Sequence, residues 1–559
     1  MRRKWLTPVL LLAVLCVICT VLLRMNSHGA AFTFGTGGVG IRFSRQPYEE
    51  SIRPWYSEEE EAWIYFLPSA LCTDRTIYND GLDRELTIDG RAIPKRGAFT
   101  WEEGRTYRMV YDDRETDVRF LPSGGLPAIF ITMEPEALEE INYSKNSTEA
   151  GSLTVFQADG QVSLHGGLTI HGRGNSSYTI FDKKPYNIKL DRPAGLLGME
   201  RARDWCLLAN AWDYSYMNNK LAFDMAKNAG FRFTPDAEYA DVWMNGTYRG
   251  LYLITEKIEV HENRIHITSL KDQNQAVNRD TDMTRATSFD DGSLRGIELE
   301  HVPEDITGGY VIERDYRLAA DYPGRKMTPS YFETTGAGTA FSIRAPEYAD
   351  RREAGYIQAL TSEMEQAILS PEGVSETGKG WLEYIDLDSW VKCYMIAEIA
   401  HDLDKDVTNT YYYKDTDSVD PRFYAGPVWD YDNRFGGTEG QASAEELTRL
   451  ASGGPHYAGG WSRYLYDRPE FYAAVCREWK ETFRDYLRET APERIDGWQR
   501  LIEASVGLDL IRWPRNEKTP EVWPGGDGFR EDYSFADEVD YLKDWIRKRS
   551  EFLDGIWGE

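Results

Sequence analysis

The sequence predicts an α+β protein built from two lobes. Three observations carry this. Short apolar runs separated by turn signals dominate the chain up to about residue 255. Helical periodicity dominates after residue 380. The chain has 559 residues, enough for two to four ordinary domains or one large bilobal one. Strands first and helices later is an α+β order, and a cleft between two lobes is the usual place for a nucleotide.

The elements follow in chain order. Met1-Arg2-Arg3-Lys4 is basic, and Leu6 to Leu23 is uncharged and apolar, closed by Arg24. That pattern predicts a membrane anchor or signal over residues 1–24, read as an uncleaved transmembrane helix that leaves the rest outside the cytoplasm. Gly29-Ala30-Ala31 is the alternative cleavage point, which would release a secreted form. Residues 25–54 are Gly-rich and read as a tether. Residues 55–121 read as a small β-sandwich-like module of about 60–70 residues, with strands at Trp63–Leu67, Leu86–Ile88 and Tyr107–Val110.

Pro122-Ser123-Gly124-Gly125 links this module to a main domain over residues 126–555. There, Ala128–Met133, Leu168–Ile170, Tyr186–Leu190 and Trp205–Ala209 read as strands, and Ser215–Lys227 as a helix. Val242–Met244, Asn245-Gly246 and Leu251–Ile254 form a hairpin signature. Residues 271–307 are polar with few apolar anchors and read as a mobile insertion. Ser389–Ile399, Glu470–Tyr486 and Ala536–Phe552 read as helices.

Lys and Arg total 64 and Asp and Glu 92, a net charge of −28. This argues against a nucleic-acid partner, which would need a basic face to neutralise phosphates. Cys16 and Cys19 lie in the apolar N-terminal run. Cys72, Cys206, Cys393 and Cys476 are far apart without C-x-x-C spacing, which argues against a zinc site.

Two acidic motifs point to chemistry. His401-Asp402-Leu403-Asp404 runs on to Asn409, and Trp429-Asp430-Tyr431-Asp432 follows an aromatic stretch. Asp404 and Asn409 have the spacing of a kinase catalytic loop. Phosphoryl transfer needs a carboxylate to receive the hydroxyl proton, and an amide and a second carboxylate to hold magnesium. Upstream, His171-Gly172-Arg173-Gly174-Asn175-Ser176-Ser177 precedes Lys183-Lys184-Pro185 and the strand that carries Lys189. Glycine lets backbone N–H groups approach phosphate, and lysine adds a point charge. A plain hairpin with surface lysines is the competing account, and Lys184 and Lys189 both remain open as the phosphate contact. Asp402 and Asp406 read as solvent-facing neighbours, His401 as a packed residue and Asp213 as a turn residue.

These stretches, with GLLGMERARDWCLLANAWDYSYMNNKLA, VWMNGTYRGLYLITEKIEV, GGYVIERD and GPVWDYDNRFGG, resemble the CotH kinase family (spore coat protein H). The resemblance spans about residues 126–555. It implies an atypical protein-kinase-like fold with a β-rich N-lobe and a helical C-lobe. It also implies ATP, Mg²⁺ or Mn²⁺, and phosphorylation of protein hydroxyls, on coat or cell-surface proteins. Asp404 matches the catalytic aspartate, Asn409 and Asp430 the metal positions, and Asp432 the second acid. Arg173, Lys184 and Lys189 fall in the phosphate-side motif, and Glu256 where a hinge strand meets adenine. The chain departs from the family where Met217-Asn218-Asn219 replaces Met-Arg-Asn. Its 215–227 helix also lacks a Glu to pair with the strand lysine. These departures motivate a second hypothesis, a non-catalytic kinase-like scaffold at a cell surface or coat. A third, a glycan-cleaving carboxylate pair, leaves the glycine–lysine motif without a job.

Overall fold

Alternating aromatic and β-branched residues decide the first part of the chain. The computed structural model describes residues 30–35, 38–45, 48–72, 75–79, 86–111, 114–319, 326–436, 447–453, 460–514 and 533–559. Contacts divide it into two units. The first holds residues up to 209, 238–254 and 501–516; the second holds 210–237, 255–500 and 517–559.

In the first unit, β1 (Ala30–Gly35), β2 (Gly38–Arg45), β3 (Tyr48–Ile52), β6 (Thr76–Asn79) and β9 (Ala98–Thr100) form one sheet. A second sheet is built from β4 (Trp55–Ser57), β5 (Ala62–Leu67), β7 (Leu86–Ile88), β8 (Arg91–Ile93), β10 (Thr106–Tyr111) and β11 (Arg114–Pro122). Period-two side-chain alternation gives each sheet an apolar face. Ile41, Ile77 and Phe99 of the first sheet share a core with Ile64, Tyr107 and Phe120 of the second. Phe99 meets Tyr107 edge to face, ring centroids 5.1 Å apart.

Seven further strands close into a barrel: β12 (Ala128–Thr132), β13 (Thr148–Phe156), β14 (Val162–Gly172), β15 (Tyr186–Ala194), β16 (Ala202–Leu208), β17 (Ala237–Met244) and β18 (Thr247–Glu256). β12 pairs in parallel with β17, Ala128 opposite Asp241, and this joins the two ends of the barrel. The β17–β18 turn is the expected hairpin, with Asn245 at φ 48° and Gly246 at φ 80°, both left-handed as that turn requires. Phe66 of β5 stacks on Tyr248 at 4.8 Å and its carbonyl accepts from Trp243 Nε1, which fixes sheet to barrel.

The helices that matter below are α1 (Pro135–Tyr143), α2 (Ser176–Ile180), α3 (Asn218–Asn228), α4 (Leu270–Val277), α5 (Arg351–Leu369), α6 (Trp381–Tyr384), α7 (Leu387–Ala400), α8 (Trp461–Tyr466), α9 (Pro469–Glu478), α10 (Ala491–Arg512) and α11 (Phe535–Trp557). From Leu501 on, α10 belongs to the first unit. The second unit has its own seven-stranded sheet: β19 (Ser288–Asp290), β20 (Leu294–Ile297), β21 (Tyr310–Arg314), β22 (Tyr331–Glu333), β23 (Ala340–Ala345), β24 (Thr410–Lys414) and β25 (Tyr424–Ala425). Trp390 of α7 and Trp461 of α8 both pack on Tyr412 of β24, at 4.8 and 5.5 Å between centroids.

This corrects the predicted fold class. In place of a β-rich lobe followed by a helical one, the chain is mixed α/β, with a closed barrel and a second large sheet at residues 288–425. The strands of that sheet have two to six residues and come from segments scattered between helices, too short to show a period of two in sequence. The predicted mobile insertion at 271–307 instead carries α4, β19 and β20. Polar bonds join its few apolar anchors, Phe289, Leu294, Ile297 and Leu299: Ser269 caps α4 through the Asp272 N–H, and Asn278 Nδ2 donates to His301 O at 2.7 Å. The predicted transmembrane helix finds no counterpart among the described residues, where no helix is long and apolar enough to cross a membrane. The run Leu6–Leu23 lies outside the described residues.

Candidate active site

Helix α7 presents the first motif. Asp386 caps it, accepting from the Ser389 N–H at 3.0 Å, and most of its side chains are buried. The helix ends at His401, in the left-handed region at φ 51°. The backbone then folds tightly: the N–H groups of Val407 and Thr408 both donate to Asp404 O at 2.9 Å. Asp406 (φ 65°) and Asn409 (φ 55°) are also left-handed. Asn and Asp tolerate this conformation better than other non-glycine residues.

The tight turn sorts the acids. Asp404 keeps a side-chain exposure of 38%, whereas Asp402 keeps 11% and Asp406 1%. The solvent-facing assignment of Asp402 and Asp406 is therefore corrected: both are buried and internally bonded. Asp402 Oδ1 accepts from the Asp404 N–H at 3.0 Å. Burial pushes its carboxyl up to about 6, against the pull of the Arg434 guanidinium and with the push of Asp404. Asp406 Oδ2 accepts from the Ser462 N–H at 2.8 Å. His401 is packed and neutral, its pKa brought down to about 3 by burial and by Arg549, Arg449 and Arg434.

The second motif meets the first. Asn409 Nδ2 donates to Asp430 Oδ2 at 2.6 Å. Asp430 sits at φ 69°. Arg434, with only 3% of its side chain exposed, reaches Asp402 Oδ1 through Nε and Asp404 Oδ2 through Nη2, both at 2.6 Å. The Phe435 N–H donates to Ala400 O at 3.0 Å, which staples the two loops together. So the second unit brings Asp404, Asn409 and Asp430 together.

Helix α3 braces the second loop. Asn218 Nδ2 donates to the carbonyls of Asp432 and Arg434, each at 3.0 Å. Asn219 Oδ1 accepts from the Tyr431 N–H at 2.8 Å. Asp213 organises the start of the helix, accepting from the N–H groups of Ser215 and Asn218. Burial raises its carboxyl to about 6. Arg434, Asn218 and Asn219 were not singled out as site residues by sequence reasoning. The only signal was the Asn218 departure, taken there as a lost basic contact. Asp432 is half-buried, with its carbonyl on Asn218.

The phosphate-side residues belong to the first unit. Arg173 follows β14 and its N–H donates to Pro185 O at 3.0 Å. Lys184 Nζ donates to the carbonyls of Tyr178 and Phe181, both at 2.6 Å. Lys189 is exposed on β15, opposite Thr169 and Asp204. The buried lysine of this motif is Lys183, which ion-pairs with Asp509 at 2.8 Å. Glu256, in the second unit, is buried and accepts from the Asp236 N–H at 3.0 Å.

A sequence model of the family described as CotH kinase protein matches residues 170–553. The chain belongs to the CotH kinase family. A shorter match links it to the inner spore coat protein H of Bacillus subtilis (strain 168), 39% identical over 79 residues. That match covers 14% of this chain and 21% of the relative, so about a fifth of the relative's length is spanned. The two acidic motifs, with Asp404, Asp430 and Asp432, lie within the matched region.

Proposed function

We propose that this CotH-family chain is a protein kinase that moves the γ-phosphoryl group of ATP to serine or threonine hydroxyls of coat or surface proteins. The observation that carries it is the 2.6 Å bond between Asn409 and Asp430 beside a half-exposed Asp404. Asp404 accepts the proton of the acceptor hydroxyl as its oxygen bonds to phosphorus and the bond to ADP breaks.

The donors present suit magnesium. Among the described residues, no group of three or more His, Cys, Asp or Glu is arranged to hold a metal ion. Mg²⁺ does not ask for one: it takes one or two carboxylates and fills its shell with water and phosphate oxygens. The Asp430 carboxylate and the Asn409 amide oxygen would hold it, after the amide turns away from its bond to Asp430. When bound, the ion neutralises the phosphates.

A second reading, a non-catalytic scaffold, is favoured by the lysines. Lys183 is committed to Asp509 and Lys184 to two carbonyls, which leaves Lys189 as the exposed lysine of the motif. The deciding experiment is magnesium-dependent ATP binding and phosphate transfer by the full chain, wild type beside Asp430→Ala and Asp404→Asn. The kinase reading expects binding lost in the first variant and retained without transfer in the second. Transfer at the wild-type rate by either, or no binding by the wild type, overturns it.

A further inference from the structure

The kinase reading leaves one side chain unused that touches both loops. Arg434 follows Asp430-Tyr431-Asp432-Asn433, yet its guanidinium lies on the other motif. It holds Asp402 and Asp404 at once, both at 2.6 Å. Its own carbonyl is fixed by Asn218 at 3.0 Å, and the next N–H is fixed by Ala400 O. The arginine is therefore set from behind before it grips the two acids.

We infer that Arg434 is a positioning residue: it aims the Asp404 carboxylate at the acceptor hydroxyl and ties that aim to the state of the 430–434 loop. The inference rests on the kinase reading above. Three physical points support it. First, Arg434 uses Oδ2 of Asp404 and leaves Oδ1 to the acceptor. Second, two carboxylates two residues apart would repel and splay; the Arg434 guanidinium lies against both, hydrogen-bonded to Asp404 through Nη2 and ion-paired with Asp402 through Nε, and the shorter point charge of a lysine ammonium does not span the two. Third, Arg434 is buried, so little solvent screens the pairing. Movement of the 430–434 loop is then passed to Asp404 through one side chain.

The test is steady-state phosphotransfer by the full chain to dephosphorylated casein with MgATP. It compares wild type, Arg434→Gln, Arg434→Lys and Asp402→Asn, with thermal melts to confirm folding. A displaced reacting group of this kind costs on the order of 100-fold in rate. Arg434→Gln is expected to lower kcat by about that factor with KM for ATP within about twofold, and Arg434→Lys to recover only part of it. In an Arg434→Gly background, added ethylguanidinium is expected to restore part of kcat. Asp402→Asn, which removes one of the two anchors without changing shape, is expected to lower kcat severalfold at unchanged KM. A folded Arg434→Gln or Asp402→Asn protein with wild-type kcat overturns the inference and leaves the kinase reading standing. So does a rise in KM at unchanged kcat. A wild type that neither binds MgATP nor transfers phosphate ends the kinase reading, and this inference with it.

Discussion

Glu353 and Asn274 are joined by one hydrogen bond, Asn274 Nδ2 to Glu353 Oε2 at 3.1 Å, while Glu353 Oε1 and Asn274 Oδ1 are buried with no hydrogen-bond partner among the described residues. Two orphaned acceptors beside an existing bond make sense if Glu353 carries a proton. A carboxylic acid and an amide then exchange two hydrogen bonds, Oε1–H donating to Asn274 Oδ1. Burial raises the Glu353 carboxyl to about 7. The Asp350 N–H and Asn274 oppose that shift, Asp350 adds to it and Arg352 opposes it. Tyr310 on β21 donates its hydroxyl to Ile306 O at 2.8 Å and meets Glu353 at its backbone carbonyl, at 3.4 Å.

The sign follows from linkage. The folded pKa lies above the usual 4.5, so the folded state holds more protons between those values. Stability from this pair is complete below about pH 4.5 and is lost as pH rises through about 7. The loss is about 3 kcal/mol at most, at 1.36 kcal/mol per pH unit. Glu353→Gln keeps the shape and removes the titration. Urea melts at pH 5 and pH 8 are expected to show the wild type losing more than the variant. Asp213 and Asp241 also have raised carboxyls, so the difference between wild type and variant isolates Glu353. An equal loss in both would refute the protonated pair.

Lys183 and Asp509 form a buried ion pair in the first unit, with 5% and 3% of their side chains exposed. Lys183 also donates to Leu251 O, and Asp509 Oδ1 accepts from the Leu251 N–H. Gly250 leaves room for them: a Cβ there would lie 2.0 Å from Asp509 Oδ1, at a φ of 109°. Breaking a buried pair strands one charge and costs about 3–5 kcal/mol, whereas replacing both partners with apolar groups costs far less. Lys183→Met is therefore expected to lower unfolding free energy by that amount. The double variant Lys183→Met, Asp509→Leu should be less destabilised than Lys183→Met alone, as read by urea denaturation. A double variant worse than the sum of the singles would contradict this.

The legible part of the site was the part set by spacing. Asp404 to Asn409 lies within one loop, so a motif six residues long fixes both. The same holds for Asp430. The hairpin at Asn245-Gly246 and helices α7 and α11 were legible for a similar reason, since turn chemistry and apolar period are local. What was not legible acts over distance. Asn218 meets Asp432 across 214 positions and Lys183 meets Asp509 across 326, and no local pattern announces either. The predicted helix from Glu470 to Tyr486 shows a subtler limit. Its apolar period continues, but the backbone passes from α9 into π-helical turns at Trp479–Phe483 and Tyr486–Thr490, and side-chain period alone does not separate the two.

Asn218 offers a direct check on the brace beneath the 430–434 loop. Its amide satisfies two carbonyls, and a buried acceptor left unmet costs about 1–3 kcal/mol. Asn218→Ala is expected to destabilise by about that amount for each carbonyl that water does not reach. Asn218→Asp should be worse, because a carboxylate would face the two carbonyls with no hydrogen to donate. Thermal melts at pH 7 distinguish them: an Asp variant more stable than the Ala variant would mean that the amide hydrogens are not what holds the loop.

Asp406 anchors the 401–409 loop from below. Burial alone would push its carboxyl up, but Lys405 (3.7 Å), Arg314 (3.9 Å) and the Ser462 N–H and hydroxyl outweigh that and bring it below 3.8. A depressed carboxyl contributes stability above its unfolded pKa, lost as pH falls through the folded value. The wild type is therefore expected to lose part of its stability only below about pH 4. Asp406→Asn keeps the size and the bond from Ser462 but leaves two buried cations without their anion, a cost of about 3 kcal/mol at pH 7. Its stability should also fall less steeply on the acid side. Because Asp406 sits between Asp404 and Asn409, the variant is expected to lose transfer activity as well, with acid titration of the two proteins by circular dichroism as the measurement of stability. Parallel acid limbs would show that this carboxylate is not the anchor.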